Sequence, residues 1–402
     1  MKLASGLLTY CTNIHAGESW LDHFAALRQN FPAIKNQICP EQTMGIGLRL
    51  SHAASLDLFR DENLAAFRQW LDENQAYVFT MNGFPYGDFH HAVVKDRVHA
   101  PDWTRSERLV YTLRLFRILA DLLPPGMEGG ISTSPLSYRH WFLTEDASAE
   151  AKKIATRNIL WVVEELIKIR QSTGILMHLD IEPEPDGLLE TGTEFIEWFE
   201  KDLIPMAKEE LSLRLNILPQ EAESRLKEHL CLCYDVCHFA IGYEPHSEII
   251  EKLSAKGIRV GKIQISAALK ANLPADLPAR SLITEAFSKF NEPTYLHQVV
   301  ARKADGSLLR YPDLPDALAD AKNPLVNEWR AHFHVPVFSE DLDLLQSTQS
   351  DIIKVLEIQK ARPFTKHLEV ETYTWEVLPE TLKMPLGQSI IRELQWVKET
   401  LL

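Results

Sequence analysis

The chain has 402 residues, of which 45% are hydrophobic and 24% are charged, a composition typical of soluble globular proteins. It carries 42 Lys and Arg against 56 Asp and Glu, which gives a formal net charge of −14, and no dense basic stripe is present. Because an acidic surface repels phosphate backbones and anionic headgroups, nucleic acids and membrane surfaces are disfavoured as partners. A local basic pocket for a phosphorylated small molecule remains compatible with this charge.

The cysteines and the N-terminal segment indicate a cytoplasmic protein. Cys231, Cys233 and Cys237 lie within CLCYDVC, where the first two belong to an alternating apolar run typical of a strand. Buried free thiols are favoured over a thiolate metal site, and an odd cysteine count is typical of a reducing compartment. The opening MKLASGLLTYC has Tyr10 where signal-peptide cleavage needs a small residue. No apolar run approaches the ~18 residues that a membrane helix needs.

Short β-like runs alternate with amphipathic helical segments along the chain. The predicted strands are residues 3–9, 45–50, 76–81, 130–134, 175–181, 230–235, 260–266 and 368–372. The main predicted helices are residues 20–28, 64–73, 106–123, 147–170, 194–211, 247–256, 339–360 and 386–402. Eight alternating units predict an α/β fold, a single closed (β/α)₈ barrel over residues 1–402. The alternative, an open doubly wound sheet, is expected to carry a glycine-rich phosphate turn, and neither GxGxxG nor GxxxxGK[ST] occurs.

The segment before the last predicted strand is too long for one helical crossover. It contains two further β-like runs, residues 295–302 and 331–338, and the Asp305-Gly306 pair is a hairpin signal. We therefore predict that residues 270–337 form an insertion between the last two barrel strands. We expect this insertion to form a small subdomain or a lid over the barrel mouth.

Polar residues at the carboxyl ends of barrel strands are the candidates for function, because active sites of such barrels gather there. The candidates on the first four strands are Asn13, His15, Asn82, Ser132, Ser134 and Arg139. Of these, Asn13, His15 and Asn82 are our candidates for contacts with a substrate.

The fifth strand runs into HLDIEPEPDG. Alternation places His178, Asp180 and Glu182 on one face of the strand, which we interpret as the barrel interior, with Glu182 nearest the mouth. Burying two carboxylates and an imidazole is costly unless they pair or bind a cation. A buried hydrogen-bonded network and a cation site are therefore both open interpretations.

The sixth and eighth strands also end in carboxylates. Asp235 closes the sixth strand and His238 follows three residues later, whereas Glu371 lies at the end of the eighth, in HLEVETYTWE. Asp235 and His238 can also be read as helix-capping residues. Three carboxylates that converge on one mouth repel each other unless a divalent cation lies between them. Oxygen-rich ligation with one imidazole suits Mn²⁺, Mg²⁺, Co²⁺ or Zn²⁺.

At these positions the chain resembles the xylose isomerase-like TIM barrels, which include sugar isomerases, sugar epimerases and endonuclease IV-type enzymes. The resemblance rests on Glu182 in IEPEP, the Asp235-x-x-His238 step, a polar seventh strand and Glu371. It implies a divalent metal site at these residues, with His238 near the substrate. A closer resemblance, to the EboE proteins of metabolite traffic, is carried by TYCTNIHAGESW, KIQISAAL, YLHQVV and WRAHFHVPVF. It implies partner proteins in the processing or export of a small metabolite and specifies no reaction.

The seventh strand departs from the sugar epimerases, many of which have a histidine ligand there. KIQIS offers Gln264 instead, and an imidazole is available from His297 or from His332 and His334 in HFHVP. HFHVPVF is itself an alternative for the seventh strand, and its histidines are either ligands or core residues. We take Gln264 and His334 as candidate metal ligands and His297 as a candidate substrate contact.

Two functions follow from these residues. The first is a metal-dependent isomerase or epimerase acting on a sugar-like or other small hydroxy-carbonyl metabolite, with Glu182 and Glu371 as ligands, base and acid. Asp235 completes the metal site and His238 positions the substrate, although the same cluster can activate water for hydrolysis. The second is a non-catalytic protein that binds and hands over a small metabolite on the same barrel, which Gln264 and the long insertion favour. A DNA-repair role is opposed by the net charge of −14.

Overall fold

Fifteen β-strands form two sheets in the computed structural model, which describes residues 1–87, 89, 93–375, 377–380 and 383–402. The strands of the first sheet are β1 (Lys2–Leu3), β2 (Gly6–Tyr10), β3 (Met44–Arg49), β4 (Ala76–Asn82), β5 (Gly129–Thr133), β6 (Met177–Ile181), β7 (Leu230–Asp235), β8 (Val260–Ile265) and β15 (His367–Val370). The strands of the second sheet are β9 (Ala267–Asn272), β10 (Val299–Lys303), β11 (Leu308–Tyr311), β12 (Val326–Val335), β13 (Asp341–Leu342) and β14 (Leu345–Ser347).

The first sheet curls into a nearly closed barrel of parallel strands. Its order is β1-β2-β15-β8-β7-β6-β5-β4-β3, and every pairing from β2 onwards is parallel, whereas the short β1 is antiparallel to β2. A parallel bridge between Cys11 and Gly47 joins the two ends of the sheet. The α/β fold with eight parallel strands agrees with the sequence prediction, since each of the eight predicted strands coincides with one of them.

Helices connect the barrel strands, and several begin at a hydroxyl residue that caps the first turn. Ser19, Ser51, Thr144 and Thr191 each accept a hydrogen bond from a backbone N–H of the helix that follows. The α-helices are Trp20–Ile38, His52–Leu58, Asp61–Glu73, Ser106–Leu122, Glu145–Thr173, Gly192–Trp198, Ile204–Met206, Ser212–Leu215, Pro219–His229, Val236–Ile241, His246–Ala255, Leu277–Ser288, Leu314–Ala319, Gln349–Ala361 and Leu386–Leu401. Within the described ranges, no helix combines the length and apolar character that crossing a bilayer requires.

Paired charged side chains fill the barrel interior below the mouth. Lys262 forms an ion pair with Glu369, and His178 Nδ1 lies 2.5 Å from Asp180 Oδ1, all four side chains being buried. Asp180 packs against Gly261, where a Cβ would come within 2.0 Å of Asp180 Oδ1, so any larger residue would displace this carboxylate. His178 and Asp180 therefore belong to a buried network, and only Glu182 of the three residues continues to the mouth.

The second sheet lies between β8 and β15 in the sequence. Its order is β11-β10-β12-β9-β14-β13 with antiparallel neighbours. The helix Val236–Ile241, which follows β7, contacts both β9 and β12, and this brings the second sheet to the barrel mouth. The predicted insertion, residues 270–337, falls within the segment Ala267 to Ser347 that forms this sheet. HFHVP belongs to β12, so the alternative that it forms the seventh barrel strand is wrong; β8 takes that place between β7 and β15.

Candidate functional site at the barrel mouth

A cavity opens at the carboxyl ends of the barrel strands. The polar residues on its wall are Asn13, Asn82, Lys95, His99, Glu182, Glu184, His238, Gln298, His332, His334 and Glu371. Aromatic rings form another part of the wall, namely Phe84, Phe89, Tyr295 and Tyr373. The cavity therefore combines carboxylates and imidazoles with an apolar side.

Three carboxylates meet at the base of this cavity. Glu182, Asp235 and Glu371, here called the carboxylate cluster, each offer an oxygen within 4.8 Å of the other two. All three are buried, and Oε2 of Glu182 has no hydrogen-bond partner among the described residues. A buried carboxylate oxygen without a donor is costly, so a divalent cation with oxygen ligands fits the cluster. The prediction that these carboxylates approach one another agrees with this geometry.

Amide side chains surround Glu371. Asn13 and Asn82 both donate through Nδ2 to its Oε1, at 2.7 and 2.8 Å. The side chain of Asn82 also accepts a hydrogen bond from the backbone N–H of Phe84 at 3.0 Å, which fixes its orientation. Both asparagines were predicted as substrate contacts, and both line the cavity while they hold the carboxylate in place.

Gln264 lies among the carboxylates, with its amide nitrogen towards them. Nε2 donates to Glu182 Oε1 at 3.2 Å, to Asp235 Oδ2 at 3.4 Å and to Glu371 Oε2. Its Oε1 accepts from Cys233 Sγ at 2.6 Å. We predicted ligation through the amide oxygen, which requires the amide to reverse. A thiol both donates and accepts weakly, so Cys233 tolerates either orientation.

Burial and mutual repulsion favour protonated carboxyls in the absence of a cation. Burial, followed by the negative charge of Asp235, raises the pKa of Glu371 to about 8. Burial and then the charge of Glu371 raise the pKa of Glu182 well above its usual range. Buried carboxyls with raised pKa values are typical of groups that act in general acid–base chemistry.

Local sequence explains the positions of Asp235 and His238. Asp235 caps the helix Val236–Ile241 by accepting from the His238 N–H at 3.3 Å, and Ser266 Oγ donates to the same Oδ1 at 2.6 Å. The other oxygen, Oδ2, faces the cluster. His238 in the first turn of the helix directs Nδ1 to the Pro183 carbonyl at 3.0 Å. Asp235 therefore caps the helix through Oδ1 and faces the carboxylate cluster through Oδ2, so the capping and functional interpretations are compatible.

His334 on β12 lies in the cavity wall, whereas His297, just before β10, lies in the core. His334 lines the cavity and donates through Nδ1 to the Glu371 carbonyl at 2.9 Å, and within the described part of the chain its buried Nε2 has no hydrogen-bond partner. His297 does not line the cavity, because Nδ1 lies 2.9 Å from the His332 carbonyl and Nε2 lies 2.7 Å from Glu292 Oε1. The prediction that His297 contacts substrate does not fit this geometry.

His15 also lies outside the cavity wall. Its Nε2 is 3.1 Å from the hydroxyl of Tyr10, and the two rings pack edge to face. The backbone turns through the 3₁₀ helix Thr12–Ile14 directly after β2, so Asn13 and His15 leave the strand in different directions. His15 is therefore placed to support β2 rather than to meet a ligand.

Sequence reasoning missed Glu184, His99 and Gln298 on the cavity wall. His99 Nε2 lies 3.1 Å from Glu184 Oε1, and burial lowers the pKa of His99 to about 3. Glu184 could have been predicted from the sequence, because IEPEP places a second glutamate two residues after Glu182 at the end of the strand. His99 and Gln298 carry no comparable signal, since neither follows a barrel strand.

Neither a protein-family model nor a curated protein sequence matches the chain. Among solved structures, the chain is similar to the IOLI protein with a binding zinc atom, at 12% identity over 98% of this chain and 97% of that one, with a TM-score of 0.48. It is similar to a xylose isomerase domain protein from Planctomyces limnophilus, at 12% identity over 89% and 88% of the two chains, with a TM-score of 0.44. A third is a xylose isomerase-like TIM barrel protein from Mycobacterium smegmatis in complex with magnesium, at 11% identity over 96% and 90%, with a TM-score of 0.47. These likenesses concern the overall arrangement of strands and helices.

Proposed function

We propose that this protein is a metal-dependent isomerase or epimerase of small hydroxy-carbonyl metabolites, with its site at the barrel mouth. The carboxylate cluster carries the proposal, because three buried carboxylates offer oxygens within 4.8 Å of one another. Glu182, Asp235 and Glu371 would hold a divalent cation such as Mn²⁺, Mg²⁺, Co²⁺ or Zn²⁺. Gln264 with a reversed amide, or His334 through its unpartnered Nε2, would complete the ligand shell.

The chain's own residues supply orientation and proton transfer. When bound, the cation polarises a substrate carbonyl and lowers the pKa of the adjacent C–H. Glu182 and Glu371 would accept a proton from one carbon and return it to the neighbouring carbon or to the opposite face. Asn13 and Asn82 keep the Glu371 carboxylate oriented during this exchange.

The cavity wall suggests a substrate with a polar and an apolar end. The polar end would meet the carboxylates, and the apolar end would face Phe84, Tyr295 and Tyr373. We propose that the second sheet acts as a lid, because it supplies His332 and His334 to the wall and excludes water from the base of the cavity. Such a substrate would be consistent with an EboE-like role in metabolite processing, together with cytoplasmic partner proteins.

One observation favours a different function, the binding and handover of a metabolite without catalysis. The Gln264 amide nitrogen contacts all three carboxylates and so occupies the side of the cluster that a cation needs. If this orientation persists in solution, a neutral amide stabilises the carboxylates without any metal.

Metal analysis and solvent exchange separate the two functions. We expect the purified protein to bind one divalent cation that depends on Glu182 and Glu371, and to exchange the C–H next to a carbonyl with deuterium from D₂O, detected by NMR on a panel of hydroxy-ketones and aldoses. The variant Glu371→Gln should lose both properties, and Gln264→His should bind the cation more tightly. A wild-type chain that binds these compounds without metal and without exchange would instead identify the handover protein.

A further inference from the structure

Two imidazole rings on the cavity wall point nitrogen atoms at each other, an arrangement that is unfavourable when both rings are neutral. The Nε2 atoms of His238 and His332 lie 3.1 Å apart. His238 Nδ1 is 3.0 Å from the Pro183 carbonyl, which only accepts, so this nitrogen carries the hydrogen. His332 Nδ1 is 2.9 Å from Gln298 Oε1, whose orientation follows from the bond of the Gln298 amide nitrogen to the Pro185 carbonyl at 3.1 Å. A neutral imidazole has one N–H, so both Nε2 atoms present lone pairs to each other.

A metal ion resolves this conflict. Two Zn–N bonds of about 2.0–2.1 Å at a near-tetrahedral angle hold their nitrogens ~3.3 Å apart. The observed separation of 3.1 Å therefore suits two ligands of one Zn²⁺ ion.

A carboxylate completes this arrangement. Glu184 offers an oxygen that lies within 4.8 Å of ligand nitrogens of both His238 and His332. Its side chain is buried, and Oε1 makes no hydrogen bond to any residue that the structure describes, although His99 Nε2 lies 3.1 Å away. Two imidazoles and one carboxylate form a ligand set that zinc accepts, with a fourth position left open.

We propose that Glu184, His238 and His332 form a second metal site, selective for Zn²⁺ or Co²⁺ and separate from the carboxylate cluster. The three ligands come from the loop after β6, the helix after β7 and strand β12, so the ion ties the second sheet to the barrel. The fourth position faces the cavity, where it is open to a substrate oxygen or to water. This site goes beyond the proposed function and does not depend on it, since neither Glu184 nor His332 belongs to the carboxylate cluster.

Zinc titration in a variant that lacks the carboxylate cluster tests the second site directly. Chelator-treated E182Q/E371Q protein should bind one Zn²⁺ per chain by calorimetry and elemental analysis, and Co²⁺ should give the intense visible absorption of a tetrahedral site. Adding His332→Gln or Glu184→Gln should abolish this binding and the zinc-dependent rise in melting temperature. Adding His246→Gln should change neither, because His246 is a buried histidine that pairs with Tyr234 and Asp351 away from the cavity.

The outcomes are distinct for the two proposals. Two results would overturn the second site. The first is zinc binding by E182Q/E371Q that survives both His332→Gln and Glu184→Gln. The second is a lack of zinc binding by E182Q/E371Q protein that circular dichroism shows to be folded. If E182Q/E371Q does not fold, the wild-type chain takes its place, and His332→Gln must lower its zinc content by one equivalent. A wild-type chain that binds only one divalent cation when titrated with Mn²⁺, Mg²⁺, Co²⁺ and Zn²⁺, and loses it in His332→Gln, overturns the proposed function at the carboxylate cluster and supports the second site.

Discussion

The side-chain amide of Asn82 donates a hydrogen bond of 2.8 Å to Oε1 of Glu371 across the barrel mouth. This bond joins the end of β4 to the residue after β15, two elements that are far apart in the sequence and on different sides of the barrel. With Oε1 engaged, Oε2 of Glu371 turns towards Gln264 and the other carboxylates. The amide therefore determines which oxygen of Glu371 is available to a cation or a substrate.

Removing this amide should weaken metal binding. We expect Asn82→Ala to lower the affinity for Mn²⁺ by about 10–100-fold, the usual effect of losing a residue that orients a metal ligand. Calorimetric titration of the metal-free protein measures this change. Asn158→Ala is the control, because its amide donates to the Trp103 carbonyl and does not line the cavity. Equal losses in the two variants would contradict the orienting role.

Neutralising two carboxylates of the cluster should abolish its metal binding without unfolding the barrel. We expect Glu182→Gln with Glu371→Gln to raise the melting temperature of the metal-free protein, because the substitutions relieve carboxylate repulsion. Thermal unfolding followed by circular dichroism measures the effect. Glu393→Gln is a matched control, since Glu393 is also buried but bonds to Thr372 outside the cavity. An unfolded double variant would show that these carboxylates are structural residues that the fold requires.

The stability of the metal-free protein should fall as the pH rises. Glu371 has an ordinary pKa of 4.5, and in the folded chain its pKa is about 8. Between these values the unfolded chain binds fewer protons than the folded chain, so this carboxyl destabilises the fold progressively from about pH 5 to about pH 8. Glu182 acts in the same direction. Melting temperatures of wild type and Glu371→Gln should diverge over this window, with the wild type losing more.

A divalent cation should reverse that dependence. Ligand carboxyls must ionise before they bind, so the affinity of the cluster should increase up to about pH 8 and binding should release protons. Calorimetry in buffers of different ionisation enthalpy counts the released protons. An affinity that is independent of pH between these limits would contradict a role for Glu371 as ligand.

His334 and His297 should respond oppositely to alanine substitution. We expect His334→Ala to weaken ligand or metal binding with little loss of stability, because none of the described residues forms a hydrogen bond with its Nε2. His297→Ala should lower the melting temperature and leave binding unchanged, because both of its ring nitrogens contact protein acceptors. Paired measurements of binding and thermal unfolding test both. A stability loss at His334 with intact binding would make it a core histidine.

The periodic part of the fold was open to prediction from the sequence alone. Alternating apolar runs and amphipathic segments are local signals, so the eight parallel strands agree with the predicted ones. Glu182, Asp235 and Glu371 were also found this way, because each follows an apolar strand and the carboxyl ends of parallel strands meet at one mouth. The local pattern therefore determined which residues reach the site from the barrel.

Only the tertiary structure decided how the second sheet and the side chains complete the site. His332 lies on β12 and His297 lies two residues before β10, yet the first faces His238 and the second faces Glu292. The direction of each ring depends on which acceptors the packed sheets bring near it, and these acceptors are distant in sequence. For the same reason Gln264 was predicted to ligate through its oxygen, whereas its amide nitrogen contacts the three carboxylates and its oxygen contacts Cys233. Strand order follows from local pattern, but hydrogen-bond partners follow from long-range packing.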